Sequence, residues 1–369
     1  MKLSVPASCL KAALSRVSEA VARQSPHNPV FRCVLVRAAD LVTVSATDTE
    51  IAARVTMTAP DVFRPGAACV QADTLSAIVN EAGPESVTLE TDKDTLAVRF
   101  GAARYELPTV PADKFPEMPQ PDGGHRFELP ARTVVRHLGL TSFAADKRDS
   151  ARFAMQGLLI EAGDRVFRSA ATDSKRIAIV ETAAPGLTRP EKGGPHLIPR
   201  KAVALLERNL PEDDTPVVVV LRPNEAYFEN GGMALYCRLI EGRFPPVEKI
   251  MPAKTLPTVI ELPKAAFAAA IRTASIMTDA ESKRVEFSFA PGGVTLQSRG
   301  ATKGASEVEL SLPGYDGPAV GIAFDPAYVS EYLKAADGDE LRLELAAGDK
   351  PALFRCGEGS RYLVMPLVG

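Results

Sequence analysis

The residue types that most often carry out chemistry are sparse here and poorly spaced for it. Four histidines occur, His27, His125, His137 and His196, and none stands in an HExxH or HxH spacing that would set two imidazoles on one metal. Five cysteines, Cys9, Cys33, Cys69, Cys237 and Cys356, are scattered with no CxxC pair. An odd, unclustered set reads as reduced thiols acting as small core hydrophobes, not as disulfides or a zinc site. There is no GxSxG elbow, no GxxxxGK-Ser/Thr loop and no helix-opening GxGxxG. Neither a nucleophilic serine nor a phosphate cradle is therefore set up. Asp48 and Asp173 each follow Ala-Thr, in matching surroundings. That equivalence reads as a carboxylate stabilising a turn, not as a catalytic pair. The remaining pattern is basic. Arg16 and Arg23, Arg132 and Arg136, Lys201 and Arg208, and Lys264 and Arg272 stand one or two helical turns apart in segments with helical periodicity. Any one pair is an ordinary solvated helix face; recurrence in four segments makes the set informative.

The elements that carry these residues repeat. Leu3-Ser4-Val5-Pro6, Phe127-Glu128-Leu129-Pro130 and Ile260-Glu261-Leu262-Pro263 open three segments alike, each alternating as a strand does. Each opening leads to a helical pattern: Leu10, Leu14, Val17 and Val21; Val134, Val135 and Leu138; Phe267, Ile271 and Ala274. The middles run from Cys33-Val34-Leu35-Val36 to the Asp48 turn, from Gly157-Leu158-Leu159-Ile160 to the Asp173 turn, and in a degenerate third copy from Val285-Glu286-Phe287-Ser288 to Gly300-Ala301-Thr302-Lys303. Second helices are expected over 73–82, 200–209 and 325–335, with Asp73 and Asp325 as N-caps. Each copy closes on a tyrosine followed by apolar residues, at Tyr105, Tyr236 and Tyr362. Two Pro/Gly-rich stretches, 116–124 and 251–257, mark boundaries. The chain thus reads as α+β in three repeats, 1–119, 126–252 and 258–369, each with two helices and short-stranded antiparallel sheets.

A length of 369 residues suits two to four domains, and 46% apolar with 24% charged residues is the balance of a soluble globular protein. No apolar run reaches the roughly 20 residues of a membrane helix. The opening MKLSVPASCL lacks a secretory h-region, so the cytoplasm is expected. The net charge of −3 is not that of a compact DNA-binding domain, although local placement, not the total, decides such binding.

Three α+β repeats of this kind resemble the bacterial DNA sliding clamp, the β subunit of the replicative DNA polymerase. The most specific pieces are 171–178 (ATDSKRIA), 241–247 (EGRFPPV), 107–116 (LPTVPADKFP) and the end 362–367 (YLVMPL). The resemblance covers the whole chain and implies a head-to-tail homodimeric ring with helices lining the hole. It implies sequence-independent contact with duplex DNA through Arg16, Arg23, Arg132, Arg136, Lys147, Arg148, Arg152, Phe153, Lys201, Arg208, Lys264 and Arg272. Polymerase and clamp-loader subunits would dock by short peptides in a slot formed by Met155, Thr172, Ser174, Lys175, Arg176, Ile177, Pro245, Lys249, Ile250, Leu363, Met365 and Pro366. Arg176 and Lys175 would offer hydrogen bonds to the peptide. Tyr105 and Leu107 would meet Ile276 and Met277 of the second copy. No cofactor, metal, membrane or catalytic step is implied.

Two places depart from the family pattern: Ser174-Lys175 stands where Gly-His is common, and the 23–31 loop carries an extra residue. They keep open an accessory or antibiotic-resistance-associated copy of the clamp. A peptide-binding scaffold without DNA is the alternative from another class, against which the basic helices argue.

Overall fold

The computed structural model describes all residues except 26–27, 58–60, 148–152, 190–195, 280–282 and 369, and the side chain of Phe153. The chain divides into two compact units, Met1–Val135 with Lys192–Ile240, and Arg136–Glu191 with Glu241–Gly369. These units do not coincide with the three sequence repeats, because strands of successive repeats pair within each unit.

In the first unit, one sheet runs in the order Asp61–Arg64, Lys2–Pro6, Ser86–Asp92, Thr95–Phe100, Ala103–Pro108. A second runs His125–Pro130, Pro216–Leu221, Glu225–Asn230, Met233–Arg238, Ile51–Met57, Val42–Thr47, Cys33–Ala38, Gly66–Gln71. Its middle joins the first two repeats: Met233–Arg238 pairs antiparallel with Ile51–Met57. In the second unit, Gly157–Gly163, Val166–Thr172 and Arg176–Ala183 lead to Ser360–Val364, Ala352–Arg355, Glu340–Leu345 and Thr258–Pro263. Here Arg176–Ala183 pairs with Ser360–Val364 in the same way. A last sheet runs Gly304–Leu312, Gly292–Gly300, Val285–Ala290, Val320–Phe324.

Three eleven-residue helices follow the opening strands: α1 (Ala7–Val17), α3 (Ala131–Thr141) and α6 (Lys264–Ala274). The ten-residue helices α2 (Ala72–Glu81), α4 (Arg200–Asn209) and α7 (Pro326–Ala335) fall where the second helical patterns predict them; α5 (Val247–Ile250) is one short turn. Helix α1 buries Leu10, Leu14 and Val17 at the three-to-four-residue spacing of one helix face, packed on α2. The apolar pattern runs on to Val21, but the helix does not: it tightens into a 3-10 turn, Ser18–Ala20, and Val21 is extended. Of the two expected N-caps, Asp325 accepts from Ala327 N at 3.0 Å, whereas Asp73 lies inside the first turn of α2 and Gln71 takes the cap position. Four cysteines are buried and Cys9 is half-buried, all as free thiols.

The closing strands differ by one residue between repeats. Ile51 faces Cys237 while Arg176 faces Val364. The Asp48 and Asp173 turns are superimposable in their bonding, so Tyr236 corresponds to Leu363, not to Tyr362 as matching the tyrosines predicts. A one-residue slip turns a side chain to the opposite sheet face. Tyr362 stacks at 4.6 Å on Tyr332 of α7 beneath the sheet, whereas Tyr236 packs with Ala52 and Met118 on the other face.

Candidate functional site

The turn between Val166–Thr172 and Arg176–Ala183 is built from its own side chains. Thr172 Oγ1 accepts from Ser174 N at 3.1 Å and donates to Arg176 O at 2.6 Å. Asp173 Oδ1 accepts from Lys175 N at 2.9 Å and Arg176 N at 3.1 Å. Thr47 and Asp48 repeat these bonds in the first repeat, where Asp48 Oδ1 accepts from Glu50 N and Ile51 N. Both carboxylates thus stabilise turns. Each turn needs a left-handed residue, Thr49 at φ 82° and Ser174 at φ 74°. Ser174 bears a strain there that a glycine would not.

Beside this turn the terminal segment comes to rest. Ile177 is opposite Leu363, both buried, and Met365 N donates to Lys175 O at 2.8 Å. Leu367 is tied by its N–H to Ala323 O and by its carbonyl to Arg284. Met365, next to the buried Ile177–Leu363 pair, is 47% exposed, and Ile250 on the linker is 38% exposed. The linker carrying Pro245, Lys249 and Ile250 is pinned by buried Phe244 and Val247 and by the ion pair of Glu248 with Arg168 at 2.5 Å. It turns at Gly242, at φ 147°, where a Cβ would sit 2.9 Å from that of Ala154, next to half-buried Met155. The second unit therefore brings the turn and the terminal segment together at the central strand pair of its eight-stranded sheet, Arg176–Ala183 with Ser360–Val364, and fixes the linker to the same unit through Arg168 and Ala154.

Arg176 departs from its expected part. It is 6% exposed and bonded at all three nitrogens: Nε donates to Asp173 at 3.0 Å, Nη1 to Glu331 at 2.5 Å and Nη2 to Phe143 O at 2.9 Å, with the guanidinium 4.4 Å over the Tyr328 ring. Burial works to lower its pKa, but Tyr362 and Glu331 outweigh it and raise it. Burial likewise works against the Glu331 carboxylate, and Arg176 with Lys147 outweighs that and holds it below the ordinary range. Arg176 thus acts as an internal strut, each of its three nitrogens bonded within the chain. Glu331, Phe143 and Tyr328 are the site residues that sequence reasoning missed. Exposed Lys175 and Lys249 are the cations left at the rim.

The basic helix residues fare unevenly. Helices α1, α3 and α6 align without a gap, each followed by a 3-10 turn beginning at serine, Ser18, Ser142 or Ser275. In that frame Arg16, Arg136 and Arg272 occupy different positions, so the basic residues do not recur in register. Arg16 and Arg23 share no helix face, since α1 stops at Val17. Most of the others are held locally. Arg16 donates to Asn209 at 3.0 Å, Arg208 reaches Glu19 at 3.7 Å and Lys201 pairs with Asp48 at 2.5 Å. Arg132 pairs with Asp214 at 2.8 Å, Arg136 with Asp337 at 2.5 Å and Lys147 with Glu331 at 3.1 Å, and Lys264 donates to Ala336 O at 2.8 Å. Arg23 and Arg272 are exposed, with no ion pair among the described residues. Arg148, Arg152 and the Phe153 side chain lie outside the described residues. Surface ion pairs of this kind are worth about 0–1 kcal/mol, so a phosphate can displace them.

The expected dimer residues sit at an open edge. Tyr105 and buried Leu107 lie on Ala103–Pro108, which ends its sheet, and Ile276 is 64% exposed beside Met277 after α6. Among the described residues, no group of three or more His, Cys, Asp or Glu is placed to hold a metal, and no helix is long and apolar enough to cross a membrane.

Three family models match the chain end to end: DNA polymerase III beta subunit, N-terminal domain over 1–119, central domain over 128–246 and C-terminal domain over 248–367. The beta sliding clamp of Caulobacter vibrioides is 27% identical over the full length of both chains. That of Pseudomonas putida is 26% identical, again over both full lengths. The crystal structure of the DNA polymerase III subunit beta of Pseudomonas aeruginosa bound to griselimycin superposes with a TM-score of 0.92 at 24% identity, covering both chains completely. The corresponding Bartonella birtlesii structure, also bound to griselimycin, gives 0.92 at 25% identity. The chain belongs to the bacterial beta sliding clamp family, the processivity subunits of DNA polymerase III, which hold the enzyme on DNA without catalysing a reaction.

Proposed function

We propose that two copies of this chain close head to tail into a ring around duplex DNA, in the cytoplasm, and that the slot beside the 172–176 turn holds short peptides of polymerase and clamp-loader subunits. One observation carries the ring. Each junction between repeats uses the same device: the closing strand of one repeat pairs antiparallel with the strand after the middle turn of the repeat before it, Met233–Arg238 with Ile51–Met57 and Ser360–Val364 with Arg176–Ala183. By that rule Ala103–Pro108 and Gly304–Leu312, which both end their sheets, are partners across two chains. A contact between different surfaces repeated head to tail closes when its rotation allows, and otherwise runs on as a filament. On the buried side Tyr105 and Leu107 would then meet Val308 and Leu310, with Ile276 and Met277 covering the seam. The repeat boundaries 1–119, 126–252 and 258–369 fit this scheme.

The DNA is read through phosphate alone, so contact carries no sequence information and falls steeply with salt. Arg23 and Arg272 contact it first, and the other basic residues do so by exchanging a weak local partner for phosphate. Topology, not affinity, then retains the ring. Retention on nicked circular DNA at salt that abolishes binding to short linear duplex is the expected result, and release on linearisation completes it. Equal loss from both forms of DNA would leave only ordinary binding.

For the slot, Met365→Ala combined with removal of Pro366–Gly369 should abolish polymerase stimulation while the dimer persists. Undiminished stimulation would move the partner site elsewhere. Strained Ser174 and cationic Lys175 favour a slot tuned to its own peptides, as an accessory clamp copy would have.

A further inference from the structure

The two junctions inside the chain share a second device, this one between helices. At the first, Arg16 of α1 is bonded to the last residue of α4. Its Nε donates to Asn209 Oδ1 at 3.0 Å and its Nη2 to Asn209 O at 3.5 Å, while Asn209 Nδ2 donates back to Arg16 O at 3.3 Å. At the second, Arg136 of α3 is bonded just past the end of α7. Its Nε donates to Asp337 Oδ2 at 2.5 Å and its Nη2 to Glu358 O at 2.6 Å. Each time, the first helix of one repeat sends an arginine to the C-terminal end of the second helix of the next repeat. That end holds carbonyls without helical partners and the negative pole of the helix dipole, so it favours a cation.

The third repeat has such an arginine and no repeat after it within the chain. Counted back from the serine that opens each 3-10 turn, Arg16 stands two residues away, Arg272 three and Arg136 six. They are out of register, yet Arg136 differs from the other two by one helical turn, four residues or three, and such steps return to the same helix face. Arg272 is exposed, with no ion pair among the described residues.

The first repeat has the acceptor and no repeat before it. Helices α2, α4 and α7 end on Glu81, Asn209 and Ala335, and a buried, extended residue follows each, Ala82, Leu210 or Ala336. Glu81 is thus the counterpart of Asn209. It is exposed and has no ion pair among the described residues, and exposed Glu85 adds a second carboxylate to this end. The nearby cation is Lys11, which donates to the Asn80 and Ala82 carbonyls at 3.2 and 2.6 Å, as Lys264 does to Ala336 O in the third repeat.

We propose that Arg272 of each copy pairs with Glu81 of the second copy, so that the contact between chains repeats the helix joint of both internal junctions. That the partner is a second copy rests on the ring reading; the joint is a separate part of it, because edge-strand pairing does not require it. Opposite charges at the two ends of one chain favour head-to-tail contact over the meeting of like ends. In the closed ring Arg272 is held as Arg16 and Arg136 are and reaches phosphate by the same exchange. Arg23 is then the cation that meets DNA first.

The test reads assembly of the full chain in the absence of DNA. Sedimentation over a dilution series gives the dimer dissociation constant. An exposed pair is weak, but a ring of two chains contains it twice. Arg272→Glu and Glu81→Arg should therefore each raise the constant about tenfold, from about threefold at each contact. Both substitutions in one chain should return it to within about threefold of the parent. An equimolar mixture of the two single variants is the sharper measurement. A head-to-tail ring with one chain of each has opposite charges at both contacts, so native mass spectrometry should find more mixed dimers than random exchange of chains gives. Neither a folding defect nor a general loss of stability produces that preference. Random mixing, or unchanged constants in both single variants, would overturn the pair and leave the ring standing. A parent chain that sediments as a monomer throughout would overturn the ring reading and the pair with it.

Discussion

His137 shows how a single residue can set the acid limit of the fold. It lies 1% exposed on α3, with Nδ1 2.9 Å from Ser169 Oγ and Nε2 2.9 Å from Thr182 Oγ1. A neutral ring can donate through one nitrogen and accept through the other. Burial, and then neighbouring Arg136, pushes its pKa from an ordinary 6.5 down to about 3. The folded state refuses a proton that the unfolded chain accepts below pH 6.5, so this contribution is whole above pH 6.5 and declines as pH falls toward 3. At pH 5 the decline is about 2 kcal/mol. His137→Gln should be the less stable protein at pH 7, yet should lose about 2 kcal/mol less than the parent between pH 7 and pH 5. Urea unfolding at the two pH values measures this. Parallel losses would assign the acid sensitivity to other groups.

At the scale of elements, the two linkers act as straps, each pinned by a buried phenylalanine and shaped by what lies under it. Gly242 is the hinge of the second. Its φ of 147° and the 2.9 Å approach to Ala154 leave no room for a side chain. Gly242→Ala should lift Pro245, Lys249 and Ile250 off the slot and weaken a partner peptide about tenfold, or roughly 1.4 kcal/mol, without altering the oligomer. Titration of a labelled peptide into both proteins measures the change; undiminished affinity would mean that the strap does not shape the slot. Helix α1 makes a related point. Its apolar pattern is continuous through Val21, and only the 3-10 turn at Ser18–Ala20 shows where the helix stops.

At the scale of the molecule, the proposed ring closure joins two strands that end their sheets, Ala103–Pro108 and Gly304–Leu312. An open edge invites pairing, and here pairing would complete the pattern used at both internal junctions. Ile276→Arg places a charge on the apolar cover of that seam and should yield monomers. Sedimentation at micromolar concentration distinguishes the two states, and a dimer of unchanged mass would locate the contact elsewhere. The modest net charge of −3 is consistent with a protein that needs positive charge on one surface only.

The sequence by itself determined the repeats, the places of both helices in each and the turn-stabilising aspartates. These are local or periodic features, and spacing encodes them directly. Only the tertiary structure decided that Arg176 is spent on Glu331, 155 residues away, or that Arg136 is held by Asp337. It also decided that Tyr236 and Tyr362, alike in their surrounding sequence, point to opposite faces of their sheets. Strand register and distant ion pairs are set by how whole elements dock. A one-residue slip leaves the periodic pattern almost unchanged while it exchanges the side chain offered to solvent for the one offered to the core.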